Sequence, residues 1–578
     1  MSKPTVADQM WDMLAEAGVK RVYGIVGDAL NPTMDALSRH KNIEFVHVRN
    51  EEWGAFAASA DARISEGPVA VCGTAGPGVT HLLNGLLDAK HERSKVIAVA
   101  GDVETELIDT EAIEEISPYD LFRTASLYTG RVVNRKQAPQ VFAQAINTCV
   151  AESGPTVIAL PGDIASQDAE DIPTYTPVHH DRGCINDKAL DTLVELIEEA
   201  KHITILGGDG CRHSADDVIA LAQKLDAPVG YSYKGKQWLE PDNPNAVGMS
   251  GLLGYGGCWD AMHNADLLIM LGTDYPFPTF LPDPDKTKIV QIDINPTHIG
   301  RRVPVVLGAH GDVGETARAL LKRVTQRDDE KFVSEHVETT KKWHEKLHSL
   351  VENPNKDKAI RPELVAHLVS ELADDDAMFF MDTGTPCIWN SRHMIAKKGQ
   401  VMMGSFSWAS MANASPNSFG AKKAAPHRQS IAFCGDGGFS MLGLGDIITE
   451  VQHKTNNVHI IFNNTLLDFV NIEQQEAGLV PFGTDLPNPN YAAVATALGA
   501  TGERVEKVED LRPALERALN HTGGPVVLDI VVDKYALAKP SHIPLETLEG
   551  FTLSAMKQST HGHLGDILEE ALHNWKLL

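Results

Sequence analysis

The chain has 578 residues, which at about 150 residues per domain suggests three to four domains. Its 51 Lys and Arg residues against 78 Asp and Glu residues give a net charge of −27, which repels phosphates, so no nucleic-acid partner is expected. With 43% hydrophobic and 22% charged residues the composition excludes a disordered chain, and no apolar run reaches the roughly 18 residues of a membrane span.

Short β-branched runs alternate along the chain with longer stretches of helical periodicity, such as 5–17 and 52–65. Strands are predicted in three sets: 22–26, 43–48, 69–72, 96–100 and 156–160; then 202–206, 267–271 and 288–292; then 377–381, 430–434, 458–462 and 525–532. Alternating strands and helices favour parallel, doubly wound sheets that bind ligands at the carboxyl ends of their strands. The predicted fold class is therefore α/β, with three doubly wound parallel-sheet domains and a C-terminal helical tail.

Polar breaks separate the three sets of predicted strands. One lies at 173–183 and contains two prolines, and another is the Asn-Pro-Asn segment 353–355. The domains are therefore predicted to span three segments followed by a tail: 1–175, 184–345, 356–540 and 541–578. Because the first 14 residues lack the apolar core of a signal peptide, we expect the protein in the cytoplasm.

Thiolate and imidazole metal sites are not indicated by the sequence. The seven cysteines lie far apart without a C-x-x-C pair, and the 24 histidines form no H-E-x-x-H pair. A metal in this protein is therefore expected to have oxygen ligands.

Two predicted strands of the third set end in residues that suit a metal and a diphosphate. The strand at 430–434 runs into the sequence GDGG (435–438), and the strand at 458–462 runs into an Asn pair. Strand ends of one parallel sheet lie close together, so Asp436 and Asn464 can share a hard cation such as Mg²⁺. The glycines let the backbone approach a diphosphate, and the helix after them directs free N–H groups at that anion.

The GDGG motif followed by an Asn pair resembles the signature of the thiamine-diphosphate enzymes. The resemblance implies their architecture: a pyrimidine-binding N-terminal domain, a central domain, and a third domain that binds the diphosphate and Mg²⁺. It also implies that Asp436, Asn464 and the backbone carbonyl of Leu466 bind Mg²⁺. The residues that it places at thiamine diphosphate are Gly384, Thr385, Ser410, Met411, Asp436, Gly437, Gly438, Asn464, Leu466 and Leu467.

Thiamine chemistry needs a carboxylate beside the pyrimidine ring of the cofactor, and the family places it just after the second strand of the N-terminal domain. That position in IEFVHVRNEEWGAFAA (43–58) is Glu51, the implied catalytic residue, whereas Glu52 is interpreted as a helix-start carboxylate. Met411 matches the bulky side chain that bends the cofactor, and the Gly-rich segment 73–78 resembles a cofactor-facing loop. Because the family forms its site between two subunits, a homo-oligomer, either a dimer or a tetramer, is expected.

Nearly the whole chain resembles bacterial pyruvate oxidase and pyruvate dehydrogenase (quinone). The resemblance is strongest in five stretches: 18–32, 248–257, 289–302, 404–414 and 434–442. These enzymes carry FAD in the central domain, and a Gly-Gly-Asp-Gly segment follows the predicted strand 202–206, as a nucleotide-facing loop should. The residues implied at FAD are Gly208, Gly210, Ser250, Gly251, Leu252, Leu253, Thr273, Asp274, Tyr275, Pro276, Phe277 and Asp293.

The resemblance implies an oxidoreductase that uses thiamine diphosphate, Mg²⁺ and FAD to decarboxylate a small 2-keto acid, pyruvate to acetate and CO₂, with a quinone as electron acceptor. The chain departs from its relatives at Ile113-Glu114, where an aromatic residue and a Gln are usual, and the Glu114 carboxylate would oppose a keto-acid anion unless turned away. Trp408-Ala409 replaces a usual His-Gly pair, and Asp468 replaces a usual Gly. Three alternatives stay open: an oxygen-using oxidase that forms acetyl phosphate, an acetolactate-synthase-like carboligase with non-redox FAD, and a catalytically weak scaffold.

The tail has one apolar helical face, formed by Leu564, Ile567, Leu568, Ala571, Leu572, Trp575 and Leu578. In quinone-reducing relatives a C-terminal helix docks at the membrane, so the resemblance implies peripheral contact with the inner face of the cell membrane. The polar face is net acidic, and binding would therefore depend on apolar burial. A helix packed on its own subunit is the alternative.

Overall fold

Three six-stranded sheets, each made of parallel strands, form the framework of the protein. The computed structural model describes residues 3–171, 175, 182–352, 354–355, 358–537 and 545–560. Helices flank each sheet, which confirms the predicted α/β class with three doubly wound sheets. The sheets fall within the segments 1–175, 184–345 and 356–540, whose limits as domains stay predictions.

The first sheet has the strand order β2-β1-β3-β4-β6-β5. Its strands are β1 (Arg21–Gly24), β2 (Glu44–His47), β3 (Val69–Gly73), β4 (Val96–Asp102), β5 (Tyr128–Arg131) and β6 (Thr156–Pro161). Its helices are α1 (Val6–Glu16), α2 (Asn31–Arg39), α3 (Glu51–Ser65), α4 (Pro77–His81), α5 (Leu83–His91), α6 (Pro118–Phe122), α7 (Ala138–Glu152) and α8 (Gly162–Ala165). α3 begins at Glu51 because the Asn50 side chain caps it, accepting the backbone N–H of Glu52 at 2.8 Å.

The second sheet has the order β12-β11-β10-β7-β8-β9. Its strands are β7 (Ile203–Gly207), β8 (Val229–Tyr231), β9 (Ala246–Met249), β10 (Leu267–Leu271), β11 (Lys288–Asp293) and β12 (Leu307–His310). Its helices are α9 (Asp187–Glu199), α10 (Ala215–Leu225), α11 (Tyr233–Leu239), α12 (Cys258–His263), α13 (Val313–Arg323) and α14 (Glu330–Ser349). Counted from β7, this is the strand order of dinucleotide-binding folds, which bind ligands where the order reverses, here between β7 and β10.

The third sheet has the order β14-β13-β15-β16-β18-β17, which is the order of the first sheet counted from its own first strand. Its strands are β13 (Met378–Met381), β14 (Val401–Gly404), β15 (Ser430–Gly435), β16 (Asn457–Asn463), β17 (Thr501–Val505) and β18 (Val526–Val531). The helices of this part are α15 (Pro362–Leu372), α16 (Thr385–His393), α17 (Ala414–Ala424), α18 (Asp436–Gly438), α19 (Leu444–His453), α20 (Asp468–Glu476), α21 (Tyr491–Ala497), α22 (Val508–Leu519) and α23 (Leu545–Thr560). A π-helical turn at Phe439–Gly443 joins α18 to α19.

Helices α3 and α17 lock the first and third sheets together. Phe419 of α17 belongs to the apolar core of the first sheet, and Ala60 of α3 belongs to that of the third. The crossing requires glycine, because a Cβ at Gly420 would lie 1.9 Å from the carbonyl oxygen of Ala57. The helix that begins at Glu51 is therefore held against the domain that contains the GDGG motif.

In the described part of the chain, no helix is long and apolar enough to span a membrane. The apolar face predicted for residues 564–578 lies outside the described residues.

Candidate active site

The third sheet brings Asp436 and Asn464 to one edge. β15 and β16 pair in parallel with Gly435 opposite Phe462, so Asp436 and Asn463 leave the sheet side by side. The backbone N–H of Asn464 donates to Oδ2 of Asp436 at 3.1 Å. The two side chains that the sequence singles out as metal ligands are thus neighbours.

Asp436 is buried among hydrogen-bond donors. Its Oδ2 accepts the backbone N–H of Thr465 at 2.7 Å and the side-chain amide of Asn488 at 2.8 Å, and its Oδ1 accepts the N–H of Gly437 at 2.8 Å. Burial raises the pKa of Asp436 to about 6, although these hydrogen bonds favour the ionised form. A cation beside this carboxylate would offset the cost of burying its charge.

The donor set fits a hard divalent cation that also binds phosphate. The described residues include no group of three His, Cys, Asp or Glu side chains able to hold a metal. The loop that follows Asn464 turns back sharply. Thr465 has a left-handed φ of 61°, and the backbone N–H of Leu466 donates to Oδ1 of Asn464 at 3.1 Å. One carboxylate and one amide oxygen suit Mg²⁺, which takes its other ligands from phosphate and water; the carbonyl of Leu466 as a third protein ligand stays a prediction.

The other residues predicted at thiamine diphosphate lie along the same edge. Gly384 follows β13 with a φ of 135°, and Thr385 begins α16 as a buried residue. A Cβ added at Gly437 would lie 3.1 Å from Cε of Met411 and 2.8 Å from Cδ2 of Leu467. The loops after β14 and β16 therefore converge over Gly437, and the loop after β13 contacts its neighbour Gly438 through Asp382.

Glu51 lies at the equivalent edge of the first sheet. Its carboxylate is buried, and Nδ1 of His81 lies 3.1 Å from its Oε2. A Cβ at Gly78 would lie 3.3 Å from its Oε1, so the side chain faces the Gly-rich segment 73–78. Burial, with the charge of Glu51 as a further cause, raises the pKa of the Cys72 thiol to about 12. Within the described residues, the hydrogen bond of the Glu51 carboxylate goes to His81 and not to Asp436 or Asn464.

The segments predicted at FAD gather where the second sheet reverses its strand order. A Cβ at Gly208 would lie 2.5 Å from the carbonyl oxygen of Gly272, and one at Gly210 would lie 2.5 Å from Gly272 Cα. These two glycines are required because the loops after β7 and β10 pack backbone to backbone. The close packing of these two loops is enough to explain why positions 208 and 210 are glycines. Support for a nucleotide site here must therefore come from other residues.

Three of those groups lie in the loops after β9, β10 and β11. A Cβ at Gly251 would lie 2.3 Å from the Tyr275 hydroxyl, so the loop 250–253 reaches the loop after β10. The Ser250 and Tyr275 hydroxyls are buried and make no hydrogen bond of good geometry, which suits a polar ligand. Asp293 is buried at the end of β11.

The remaining residues predicted at FAD differ in exposure, and Thr273 is buried. Asp274 forms ion pairs with Arg301 and Arg302, whereas Leu252 and Phe277 are 42% and 40% exposed. The predicted set also includes three residues of these same loops: Leu253, Thr273 and Pro276. The structure thus brings the loops predicted at FAD together at the sheet's reversal point, and the carbonyls of Leu252 and Leu253 also accept hydrogen bonds from side chains of α16.

Three family profiles match successive segments of the chain. The profile described as "Thiamine pyrophosphate enzyme, N-terminal TPP binding domain" matches residues 4–121, the central-domain profile matches 190–320, and the C-terminal TPP-binding profile matches 382–530. The chain belongs to the thiamine pyrophosphate enzyme family. The N-terminal match contains strands β1 to β4, the central match contains all six strands of the second sheet, and the C-terminal match contains β14 to β17 and nearly all of β18.

Individual relatives of this thiamine pyrophosphate enzyme have several activities. The thiamine pyrophosphate-containing protein YdaP of Bacillus subtilis is 33% identical, with 96% of both chains covered. Pyruvate oxidase of Lactiplantibacillus plantarum is 28% identical over 94% of this chain and 91% of its own. The acetolactate synthase large subunit of Corynebacterium glutamicum is 26% identical over 91% of this chain and 86% of its own.

Sequence reasoning missed three polar residues of the thiamine pyrophosphate enzyme's sites. The side-chain amide of Asn488 donates to both Asp436 and Asn463, but Asn488 follows no strand and has no sequence signal. Asp382 is buried beneath the Met411 loop, where burial raises its pKa to about 7; its place at the start of DTGTP, after a predicted strand, was a usable signal. His81 comes to Glu51 only through the fold.

The Ile113-Glu114 pair lies against the Gly-rich segment next to Glu51. Glu114 has a left-handed φ of 64°, and a Cβ at Gly76 would lie 2.9 Å from Glu114 Cα. Ile113 is 88% exposed. The pair thus lies beside the Gly-rich segment that the Glu51 carboxylate faces.

The other two departures from the family pattern lie on the third-sheet side. Trp408 donates through Nε1 to Oδ1 of Asn84 at 2.8 Å, which ties its loop to α5. Asp468 begins α20, the helix after the Asn464 loop. Helix α23 packs on α20 so closely that a Cβ at Gly550 would lie 1.7 Å from the carbonyl oxygen of Glu476.

Proposed function

We propose that this thiamine pyrophosphate enzyme oxidatively decarboxylates a 2-keto acid, pyruvate to acetate and CO₂, with FAD passing the electrons to a quinone. The observation that carries the proposal is the edge where Asp436 and Asn464 meet, with the Met411 and Leu467 side chains crowded over Gly437. Pyruvate oxidase of Lactiplantibacillus plantarum, similar over 94% of this chain, supports the choice of reaction.

The proposed roles come from the family resemblance, and the surroundings of the residues are compatible with them. Asp436, the Asn464 amide and the Leu466 carbonyl would hold Mg²⁺ and through it the diphosphate. Glu51, buried beside His81, would hold a proton at a pyrimidine nitrogen, and Met411 would keep the two cofactor rings bent toward each other. Bound thiamine diphosphate would supply a nucleophilic carbon and would hold the electron pair left behind when CO₂ leaves, FAD would accept two electrons, and water would supply the second oxygen of acetate.

A second copy of the chain would complete the site. Glu51 and Asp436 lie at the edges of different sheets, and the hydrogen bond of the Glu51 carboxylate stays within the first sheet. Two copies facing each other would place the Glu51 edge of one over the Asp436 edge of the other. We therefore propose a homo-oligomer, a dimer or tetramer. We also propose that it acts in the cytoplasm, with peripheral contact at the membrane through its tail.

The proposed FAD site uses the reversal point of the second sheet. The buried hydroxyls of Ser250 and Tyr275 would meet polar groups of the ligand, and Arg301 and Arg302 supply positive charge near Asp274. A carboligase with non-redox FAD is the second candidate, favoured by Glu114 beside the Gly-rich segment and by the acetolactate synthase relative.

The test compares Glu51→Gln with Glu52→Gln in protein loaded with Mg²⁺, thiamine diphosphate and FAD. Glu52 is a matched control because it is the next residue and bonds Asn84 through Oε1 at 2.7 Å. Under anaerobic conditions pyruvate should bleach the flavin of the wild type and of Glu52→Gln, and bleaching by Glu51→Gln should be on the order of a hundredfold slower. Equal bleaching by all three proteins would refute the role of Glu51.

Product analysis separates the candidate reactions. Acetate formed with a soluble quinone supports the proposal, acetyl phosphate formed with oxygen supports the oxidase, and acetolactate without bleaching selects the carboligase. A protein that binds no FAD would refute the oxidoreductase reading.

A further inference from the structure

Helix α19, which follows β15 of the third sheet, contacts the loop that precedes Glu51. The backbone N–H of Arg49 donates to Oδ1 of Asp446 at 2.7 Å, and the Arg49 guanidinium donates to Oε1 of Gln452 at 2.7 Å. Both acceptors lie on α19. The loop between β2 and α3 is thus attached to a helix of another domain.

The Asp446 carboxylate is a buried hydrogen-bond acceptor. It is 2% exposed, and the same Oδ1 accepts the hydroxyl of Thr449 at 2.7 Å. Its helix continues the α18 and π-helical turn that begin at Asp436. A buried carboxylate that accepts a backbone N–H from a distant segment holds that segment in place, because leaving either group unpaired is costly.

The three residues before Glu51 are held by three different partners. The N–H of Val48 donates to the carbonyl of Gly24 on β1 at 3.2 Å, Arg49 is held by Asp446, and the Asn50 side chain caps α3. Loss of the Asp446 contact would free the backbone of the middle residue of this loop, and only the Arg49 side chain would stay bonded to α19 through Gln452. Glu51 lies two residues after Arg49, so added motion of the Arg49 backbone would also move the Glu51 carboxylate.

We propose that Asp446 is a positioning residue for Glu51: by holding the backbone of Arg49, it directs the Glu51 carboxylate at the pyrimidine ring. This inference rests on the proposed function of Glu51. Small displacements of a proton-transferring group can slow a reaction by about a hundredfold. We therefore expect proton removal from the cofactor to be about ten- to a hundredfold slower without Asp446.

The experiment uses full-length protein and two readouts. The first is amide hydrogen exchange of the segment 47–53 without cofactors. The second is the exchange of the C2 hydrogen of thiamine diphosphate for deuterium, bound with Mg²⁺ and quenched in acid. The variants are Asp446→Ala, Asp446→Leu, which fills the same space without an acceptor should the Ala variant not fold, and Asp446→Asn, which keeps one.

Two more variants serve as controls. Asp375→Ala removes an aspartate of the same domain whose side chain is 88% exposed and pairs with Lys397, and Glu51→Gln tests the proposed function itself. We expect the Ala and Leu variants to lose protection at 47–53 and to exchange C2 at least tenfold more slowly. Asp446→Asn and Asp375→Ala should stay within about threefold of the wild type.

The outcomes separate the two claims. The positioning role would be overturned if both the Ala and the Leu variant kept wild-type protection at 47–53 and wild-type C2 exchange. It would also be overturned if C2 exchange were as slow in Asp446→Asn as in Asp446→Ala, because the charge of Asp446 rather than its hydrogen bond would then matter. If Glu51→Gln exchanges C2 at the wild-type rate, the proposed function fails, whereas slow exchange in Glu51→Gln with normal Asp446 variants refutes only this inference.

Discussion

Replacing Gly438 by Ala tests whether the last glycine of GDGG serves the protein's own packing. A Cβ at Gly438 would lie 1.9 Å from Oδ2 of Asp382 and 3.0 Å from the backbone N of Ala412. Asp382 is 1% exposed, and its Oδ1 accepts the N–H of Asn413 at 3.0 Å. The carboxylate therefore cannot rotate away without releasing the loop that follows Met411.

The expected cost follows from these distances. The backbone or Asp382 must retreat by about 1 Å, and overpacking of this kind costs about 1–3 kcal/mol. Losing one hydrogen bond to the charged group adds about 1.5–3 kcal/mol. A loss of about 3–5 kcal/mol in a domain of this size lowers its melting temperature by roughly 10 °C.

Two neighbouring glycines supply the controls. A Cβ at Gly437 meets the ends of the flexible Met411, Leu467 and Leu486 side chains, so Gly437→Ala should keep the fold and weaken thiamine diphosphate binding. Gly445 lies in α19 with nothing within 4 Å of an added Cβ, so Gly445→Ala should stabilise the protein by about 0.5–1 kcal/mol. Scanning calorimetry of the full chain measures all three. Gly438→Ala melting as high as Gly437→Ala would refute the packing argument.

Three further predictions concern the buried polar groups. Asp436→Ala should abolish the saturable heat of Mg²⁺ and thiamine diphosphate binding in titration calorimetry, since the ion loses its carboxylate; undiminished affinity would place the ion elsewhere. Asn488→Ala should weaken that binding about ten- to a hundredfold, because its amide orients Asp436 and Asn463; an unchanged affinity would contradict this. Lys236→Met should lower the free energy of unfolding by about 3–5 kcal/mol, because it leaves the buried Glu240 carboxylate without its cationic partner, which lies 2.6 Å away. An unchanged free energy of unfolding would contradict this prediction.

The strands that the sequence predicts are mostly the inner ones of each sheet. Strands such as β3 and β10 are buried at every residue and read as continuous apolar runs. Edge strands such as β12 and β17 have one buried residue each, so their sequences lack that signal. The sequence analysis did not pick out β5, β8, β9, β12, β14 or β17. Of these, all but β8 lie at a sheet edge.

The pairing of Asp436 with Asn464 could be anticipated from the sequence alone. Each follows an apolar strand, and parallel strands end at one edge of their sheet, so local sequence and sheet topology lead to the same conclusion. The sequence alone predicted a helix over 52–65, directly after Glu51, whereas the family resemblance singled out Glu51 and indicated its role.

Only the tertiary structure decided which groups surround these residues. His81 reaches Glu51 from 30 residues away, Asn488 reaches Asp436 from 52 residues away, and Asp446 reaches Arg49 from 397 residues away. Contacts of this kind join segments whose meeting depends on how whole sheets and helices pack, and no local pattern of residues records it. The sequence therefore determined the class of fold and the residues that end its central strands, whereas packing between the domains determined what holds those residues in place.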